Sequence, residues 1–207
     1  MESNGNFYLS CASYTRSLTN ITGPVKTISH TDENLVVQFR NGHLPAGSIL
    51  YKRYNNAIFS FCLRMLGDAD GAQDATQETF LKMMTKIHAL KNGTALKTWL
   101  FSVARNEVLM IIRRKKIVPM ESFDEEGTTA LDESTPLRLT LQSELREKIA
   151  QAIENLKPAY REAYLLREIE GLSYEEIAGA THSTVSAVKS KLFKSRAALN
   201  EMLAPYL

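Results

Sequence analysis

Apolar residues recur every three to four positions along most of this chain, and the recurrence stops at a few polar or glycine-containing breaks. Thr31 or Asp32 can cap a first helix carrying Leu35, Val36 and Phe39, and Asn41-Gly42 ends it. After Pro45 a longer helix is expected over 46–66, with Ile49, Leu50, Tyr54, Ile58, Phe61, Cys62 and Met65 in register and Gly67 closing it. A third follows over 68–87, packing through Ala72, Ala75, Thr79, Phe80 and Met83. Residues 88–96 break the pattern at the turn signal Asn92-Gly93. A fourth helix over 97–116 has the stripe Leu96, Trp99, Leu100, Val103, Met110 and Ile111. Leu145, Ile149, Ala152, Ile153 and Leu156 mark a fifth, and Lys157-Pro158 starts a sixth that runs to Gly171. The pattern predicts an all-α protein.

The last stretch, 171–203, is the most specific. Ser173 and Glu176 form a capping box ahead of a short helix bearing Tyr174, Ile177 and Ala178. Thr181, His182 and Ser183 interrupt it, and Ser183 or Thr184 can cap a second helix. That helix has one apolar stripe, Val185, Val188, Leu192, Leu199 and Leu203. Short helix, tight turn and longer helix are the helix-turn-helix pattern. Ser186, Ala187, Ser190, Lys194 and Ala197 point away from the stripe, flanked by Lys189, Lys191, Phe193 and Arg196. A solvated face usually mixes both signs of charge, as Glu144, Arg146, Glu147 and Lys148 do; residues 184–200 have four basic side chains and no acidic one. Small residues admit a helix into a major groove, where cations meet phosphates or guanine edges.

Charge divides the rest. The net charge is only +2, so a nucleic-acid surface must be a local patch. Asp74, Gln77 and Glu78 share one face of the third helix; an ordinary solvated face is the plain reading, and a basic protein surface is what it would meet. Thr98, Ser102, Arg105, Asn106 and Arg113 share the arc opposite the fourth helix's stripe, which ends in Arg113, Arg114, Lys115 and Lys116. Four cations exceed what a helix C-terminus needs and suit phosphate contact. Trp99 lies on the apolar stripe, where core packing competes with base stacking, and Glu107 falls in the same arc with no partner legible in the sequence. Residues 118–140 are acidic, lack helical period and contain Pro119, Gly127 and Pro136. The expected organisation is a flexible extension over 1–30, a helical domain over 31–117, an acidic linker over 118–140 and a helix-turn-helix domain over 141–207. Such a tether leaves the two domains without fixed spacing.

Cys11 and Cys62 make no framework of bridges, and His30, His43, His88 and His182 form no metal-spaced pair. No nucleophile–base pair or glycine-rich phosphate loop appears, so neither an enzyme nor a cofactor or metal is expected. No apolar run approaches bilayer length, and Glu2 without a basic flank argues against a signal peptide; the expected location is the cytoplasm.

Three stretches taken together, DATQETFLKMM at 74–84, LKTWLFSVARNEVLMIIRRKK at 96–116 and YREAYLLREIEGLSYEEIA with STVSAVKSKLFKSRAAL at 160–199, resemble bacterial RNA polymerase sigma factors of the extracytoplasmic-function type. The resemblance covers about 31–203. It implies that Asp74, Gln77, Glu78 and Phe80 bind core RNA polymerase. It implies that the loop Asn92, Gly93, Thr94, Ala95 and Leu96 captures an unstacked minus-ten base, and that Thr98, Trp99, Ser102, Arg105, Asn106, Arg113 and Arg114 hold the opened strand. It assigns the minus-thirty-five element to Ser186, Ala187, Lys189, Ser190, Lys191, Phe193, Lys194 and Arg196. Core polymerase and promoter DNA are the implied partners, and an anti-sigma factor is admitted. Departures are Thr181-His182-Ser183 where the family commonly has Leu-Gly-Ile, Met110 where Asp is common, and Lys189 and Lys191 where Arg is frequent. A two-domain regulator binding operator DNA by itself is the alternative; it leaves the acidic face and the basic helix without a role.

Overall fold

The computed structural model describes residues 31–90, 93–117 and 138–206, with side chains for all of these but 116–117 and 138–144. Every regular element among them is helical. In the N-terminal bundle, α1 (Asp32–Arg40) is capped by Thr31, whose hydroxyl accepts from the Asn34 N–H. Helix α2 (Leu44–Leu66) begins two residues before the expected start because Pro45 fits its first turn. Gly67 ends α2 at φ 68°, a left-handed position that costs glycine little. Asp68 then caps α3 (Ala69–Lys86) by accepting from the Asp70 N–H. A 3₁₀ turn at Gly93–Ala95 leads into α4 (Leu96–Ile117).

The core of this bundle includes Leu35, Leu50, Ile58, Phe61, Ala72, Met83, Leu100 and Phe101. Phe61 and Phe101 meet edge to face with ring centroids 5.6 Å apart, tying α2 to α4. Buried Thr76 and Thr79 turn their hydroxyls onto the carbonyls of Ala72 and Ala75, so no extra partner is needed inside. The buried arc of α4 is rotated from the stripe expected above. It runs through Leu96, Leu100, Phe101, Ala104 and Val108, while Met110 is exposed and Trp99 and Val103 are half-buried. Glu107 explains the shift: it lies in the buried arc, and Lys82 of α3 reaches over to pair with it.

The C-terminal bundle starts at α5 (Arg138–Glu154), whose first three residues belong to the stretch expected as linker. Helix α6 (Pro158–Tyr164) continues into a π-helical turn, Leu165–Ile169. Helix α7 (Tyr174–Ala180) has the complete capping box, with the Ser173 hydroxyl on the Glu176 N–H and the Glu176 carboxylate on the Ser173 N–H. Thr184, not Ser183, caps α8 (Val185–Leu203). The polar turn between them is well satisfied. His182 takes φ 51°, and buried Thr181 bonds the Ile177 carbonyl and the Ser183 hydroxyl. Hydrogen bonds thus stand where an apolar pair would otherwise close the corner. Val188, Leu192 and Leu199 are buried as expected, and Ser195 between them is buried with its hydroxyl on the Leu192 carbonyl.

The two bundles are in contact, contrary to the expectation of unfixed spacing. Arg161 of α6 donates through Nη1 to the carbonyls of Arg64 and Met65, 3.2 Å each, at the C-terminal end of α2. Through Nη2 it donates to the carbonyls of Glu154 and Leu156 at the end of α5. One guanidinium therefore joins two helix C-termini, where exposed carbonyls attract a cation. Sequence periodicity could not reveal this, because Arg161 reads there as an ordinary surface residue.

Candidate nucleic-acid interfaces and an acidic docking face

The acidic face stands on α3. Asp74, Gln77 and Glu78 are exposed, while Phe80 is only 5% exposed and packs edge to face on Tyr51, with centroids 4.7 Å apart. Phe80 therefore supports this face from beneath. The three polar residues line a cleft of about 500 Å³ between α3 and α4, together with Lys82, Glu107 and Arg114. Ala75, Met110 and Ile111 make its apolar part. The cleft can receive a basic partner with an apolar edge.

In the turn before α4, Thr94 and Ala95 are exposed and Leu96 is fully buried. Gly93 is buried against α1: a Cβ there would lie 2.6 Å from the Glu33 Cα, so only glycine allows this approach. Gly93 and Leu96 position the turn, and Thr94 and Ala95 are what it presents. Asn92 lies outside the described residues.

On α4 the arc expected to meet nucleic acid is divided. Asn106, Arg113 and Arg114 are exposed, and Ser102 and Trp99 are half-buried. Thr98 and Arg105 are engaged by the C-terminal bundle. The Thr98 hydroxyl bonds the Glu176 carboxylate at 3.2 Å. Arg105 Nε donates to the Glu162 carboxylate at 2.5 Å, with side chains only 17% and 6% exposed. Lys97, one residue before Thr98, donates to the Glu170 carbonyl. The Ser173 N–H, aided by the Thr98 hydroxyl, holds the Glu176 carboxyl below its ordinary value; burial opposes. Burial pushes the Glu170 carboxyl up, against the pull of Lys97 and Arg64. The Lys115 ammonium is also occupied, 2.7 Å from Asp68, and holds that carboxyl down. Glu162, Glu170 and Glu176 carried no signal as partners of α4 in the sequence, because their separation from it exceeds any local rule.

Helix α8 presents the other basic surface. Ser186, Lys189, Ser190, Lys194 and Arg196 are exposed, Ala187 and Lys191 are half-exposed, and Phe193 stands 74% exposed. Lys189 lies 5.6 Å from the centre of the Tyr174 ring on α7, which orients it at the edge of the face. Arg196 pairs with Glu168 at 2.5 Å, and that carboxylate raises its already high pKa. The ends of the face are thus fixed, and Ser186, Ser190, Phe193 and Lys194 form its open centre.

Two family models and several known proteins match this chain. Residues 50–117 match the family described as Sigma-70 region 2, and residues 146–199 match Sigma-70, region 4. The RNA polymerase sigma-H factor of Pseudomonas aeruginosa is 33% identical over 184 residues, 85% of this chain and 95% of that protein. The ECF RNA polymerase sigma-E factor of Escherichia coli is 31% identical over 185 residues, 86% and 96% of the two chains. Among solved structures, the sigma factor RpoE of Bartonella quintana in complex with the anti-sigma factor NepR superposes with a TM-score of 0.63 at 26% identity. That match covers 76% of this chain and 96% of the other. CnrH, solved with the cytosolic domain of CnrY, gives the same TM-score at 21% identity and shares the fold.

Proposed function

The chain belongs to the sigma-70 family, in its extracytoplasmic-function group, and directs RNA polymerase to specific promoters; from that premise we propose how its surfaces divide the work. Residues 31–117 form the unit that binds core polymerase and the minus-ten element, the stretch up to the start of α5 at Arg138 is the linker, and the rest is the unit that reads the minus-thirty-five element. Asp74, Gln77 and Glu78 dock on a basic surface of the polymerase clamp, supported from below by Phe80. Thr94 and Ala95, at the tip of a turn pinned by Gly93, receive an unstacked minus-ten base. The outer arc of α4, with Thr98, Ser102, Arg105, Asn106, Arg113 and Arg114, holds the opened strand. Helix α8 enters the major groove through Ser186, Lys189, Ser190, Phe193 and Lys194. The chain works in the cytoplasm, catalyses no covalent reaction itself, and is controlled by an anti-sigma factor. A role as an operator-binding regulator acting alone would leave the exposed acidic face of α3 without a partner.

The observation that carries this reading is the pairing of that acidic cleft on α3 with a basic, outward-facing α8 on one chain. Removing one partner of an interfacial charge pair commonly costs about 2–5 kcal/mol. Asp74→Lys with Glu78→Lys should therefore abolish binding to core polymerase and run-off transcription while leaving helicity intact. Undiminished affinity of the double variant for core would sink the assignment of this face.

A further inference from the structure

Helix α1 holds the chain on both sides of the segment that leads into α4. At the exit, Gly93 is pressed against the Glu33 backbone. At the entrance, the Arg40 guanidinium donates through Nε to the Ile87 carbonyl, 3.0 Å away. That carbonyl also closes the 3₁₀ turn Ile87–Ala89 by accepting from the Leu90 N–H at 3.2 Å, so Arg40 locks a turn already formed. Glu33 and Arg40 are almost two full helical turns apart, which puts them on one face of α1 with a rise of about 10 Å between them. Helix α1 is itself fixed on α2. Asp32 pairs with Arg53 and accepts from the Tyr54 hydroxyl, and Phe39 packs so closely on Gly47 that a Cβ there would lie 2.6 Å from its ring. One donor is left over: Arg40 Nη2 is buried and has no acceptor among the described residues. A buried N–H without an acceptor destabilises a fold. A methionine would fill the same path without that penalty, so what arginine adds at this place is its hold on Ile87.

We infer that Arg40 is a positioning residue for promoter recognition: it fixes at Ile87 the entrance to the segment whose exit is fixed at Gly93, and α1 thereby sets how Thr94 and Ala95 meet an unstacked base. This inference rests on the reading of those two residues as a minus-ten contact. Capture of a single base needs a site held to within about 0.5 Å, and a turn tied at one end only does not supply that. Arg40 acts through the backbone of its neighbours. It has no part in docking on polymerase, which belongs to the acidic face of α3. Spacing along the chain gives no sign of this role, because a cation in the last turn of a helix is what the helix dipole already favours.

The full-length chain, alone and bound to core polymerase, tests this with Arg40→Met. That variant keeps an unbranched stem, removes the bond to Ile87 and removes the unpaired donor. Its thermal midpoint and its affinity for core should stay close to those of the parent chain. Holoenzyme made with it should open promoters less, seen as weaker permanganate reactivity of promoter thymines. It should also lose about tenfold in discrimination against single-base changes of the minus-ten element, within the range that one base contact supplies. Arg40→Lys, which restores a donor for the Ile87 carbonyl, should recover most of that discrimination. Arg40→Gln, with a shorter side chain, should repeat the split between opening and core affinity, and serves if circular dichroism shows that Arg40→Met misfolds. Parent-like discrimination in the Met or Gln variant would overturn the inference. Loss of core affinity in step with opening would do the same, since it marks a general role in folding. Thr94→Tyr with Ala95→Tyr separates the two levels. Normal opening and preference in that double variant sink the minus-ten reading and the inference with it, whereas lost opening there beside a parent-like Arg40→Met sinks the positioning role alone.

Discussion

Helices α4 and α8 both carry a basic face, yet their circumstances differ. The face of α8 lies opposite a stripe that packs within its own bundle, and its central residues are exposed. The face of α4 is shared: Arg113 and Arg114 are exposed, while Thr98 and Arg105 meet carboxylates from a bundle more than fifty residues away in sequence. Charge pattern identifies both faces, but availability depends on what else in the chain can offer an oxygen. A patch of cations is therefore a statement about chemistry, and whether it is accessible is a statement about packing.

The strongest way to break the comparison is to dissolve the support of the open face. Leu192 is 1% exposed between α8 and its bundle. Leu192→Ala should cost about 2–5 kcal/mol, seen as a lower thermal midpoint, and should impair duplex binding by α8. Unchanged melting would contradict the packing described.

Next in size is the pair beneath α4. Lys82→Ala leaves Glu107 buried without its cation, a change that costs about 3 kcal/mol or more where both partners are sequestered. Lys82 is 35% exposed, so a smaller loss is expected here, measured by denaturant unfolding. Glu107→Gln with Lys82→Ala should restore part of it.

Sequence reading by α8 is a finer probe. Changes at Lys189 or Ser190 should alter the preferred minus-thirty-five sequence by roughly 1–3 kcal/mol per lost base contact, as read by selection from randomised elements. Lys194→Ala should weaken all promoters alike and lower the salt dependence. An unchanged consensus for the Lys189 and Ser190 variants would count against direct readout there.

The smallest effect is one of pH. The folded Glu176 carboxyl titrates below its ordinary value, so its contribution to stability is complete above about pH 4.3 and is lost as acidification carries it through the folded value. Glu170, pushed up by burial, works in the opposite sense. Glu176→Gln should therefore flatten the acid limb of the stability curve relative to the parent chain. An identical acid limb would show that the capping carboxylate contributes nothing measurable.

Much of the molecule was legible because its signals are local. Caps at Thr31, Asp68, Ser173 and Thr184 and stops at Asn41 and Gly67 act within one helical turn, so a reader of the chain can find them. The stripe of α8 was equally plain. The stripe of α4 was misjudged by part of a turn because Glu107 looks out of place until Lys82 arrives from α3. Spacing along α3 set Phe80 on the packed side, where it lies against Tyr51 of α2, while the resemblance alone set it among the residues that meet a partner.

By itself the sequence determined the helices, the ends that a capping residue or glycine marks, the helix-turn-helix and the sign of charge on each face, all properties of residues within a few positions of one another. Only the tertiary structure decided that Gly93 must admit the α1 backbone, that Arg161 joins two helix ends, and that Glu162 and Glu176 sit on α4. Such pairings form between residues far apart in the chain, where helical periodicity carries no information and only the packed shape brings donor to acceptor.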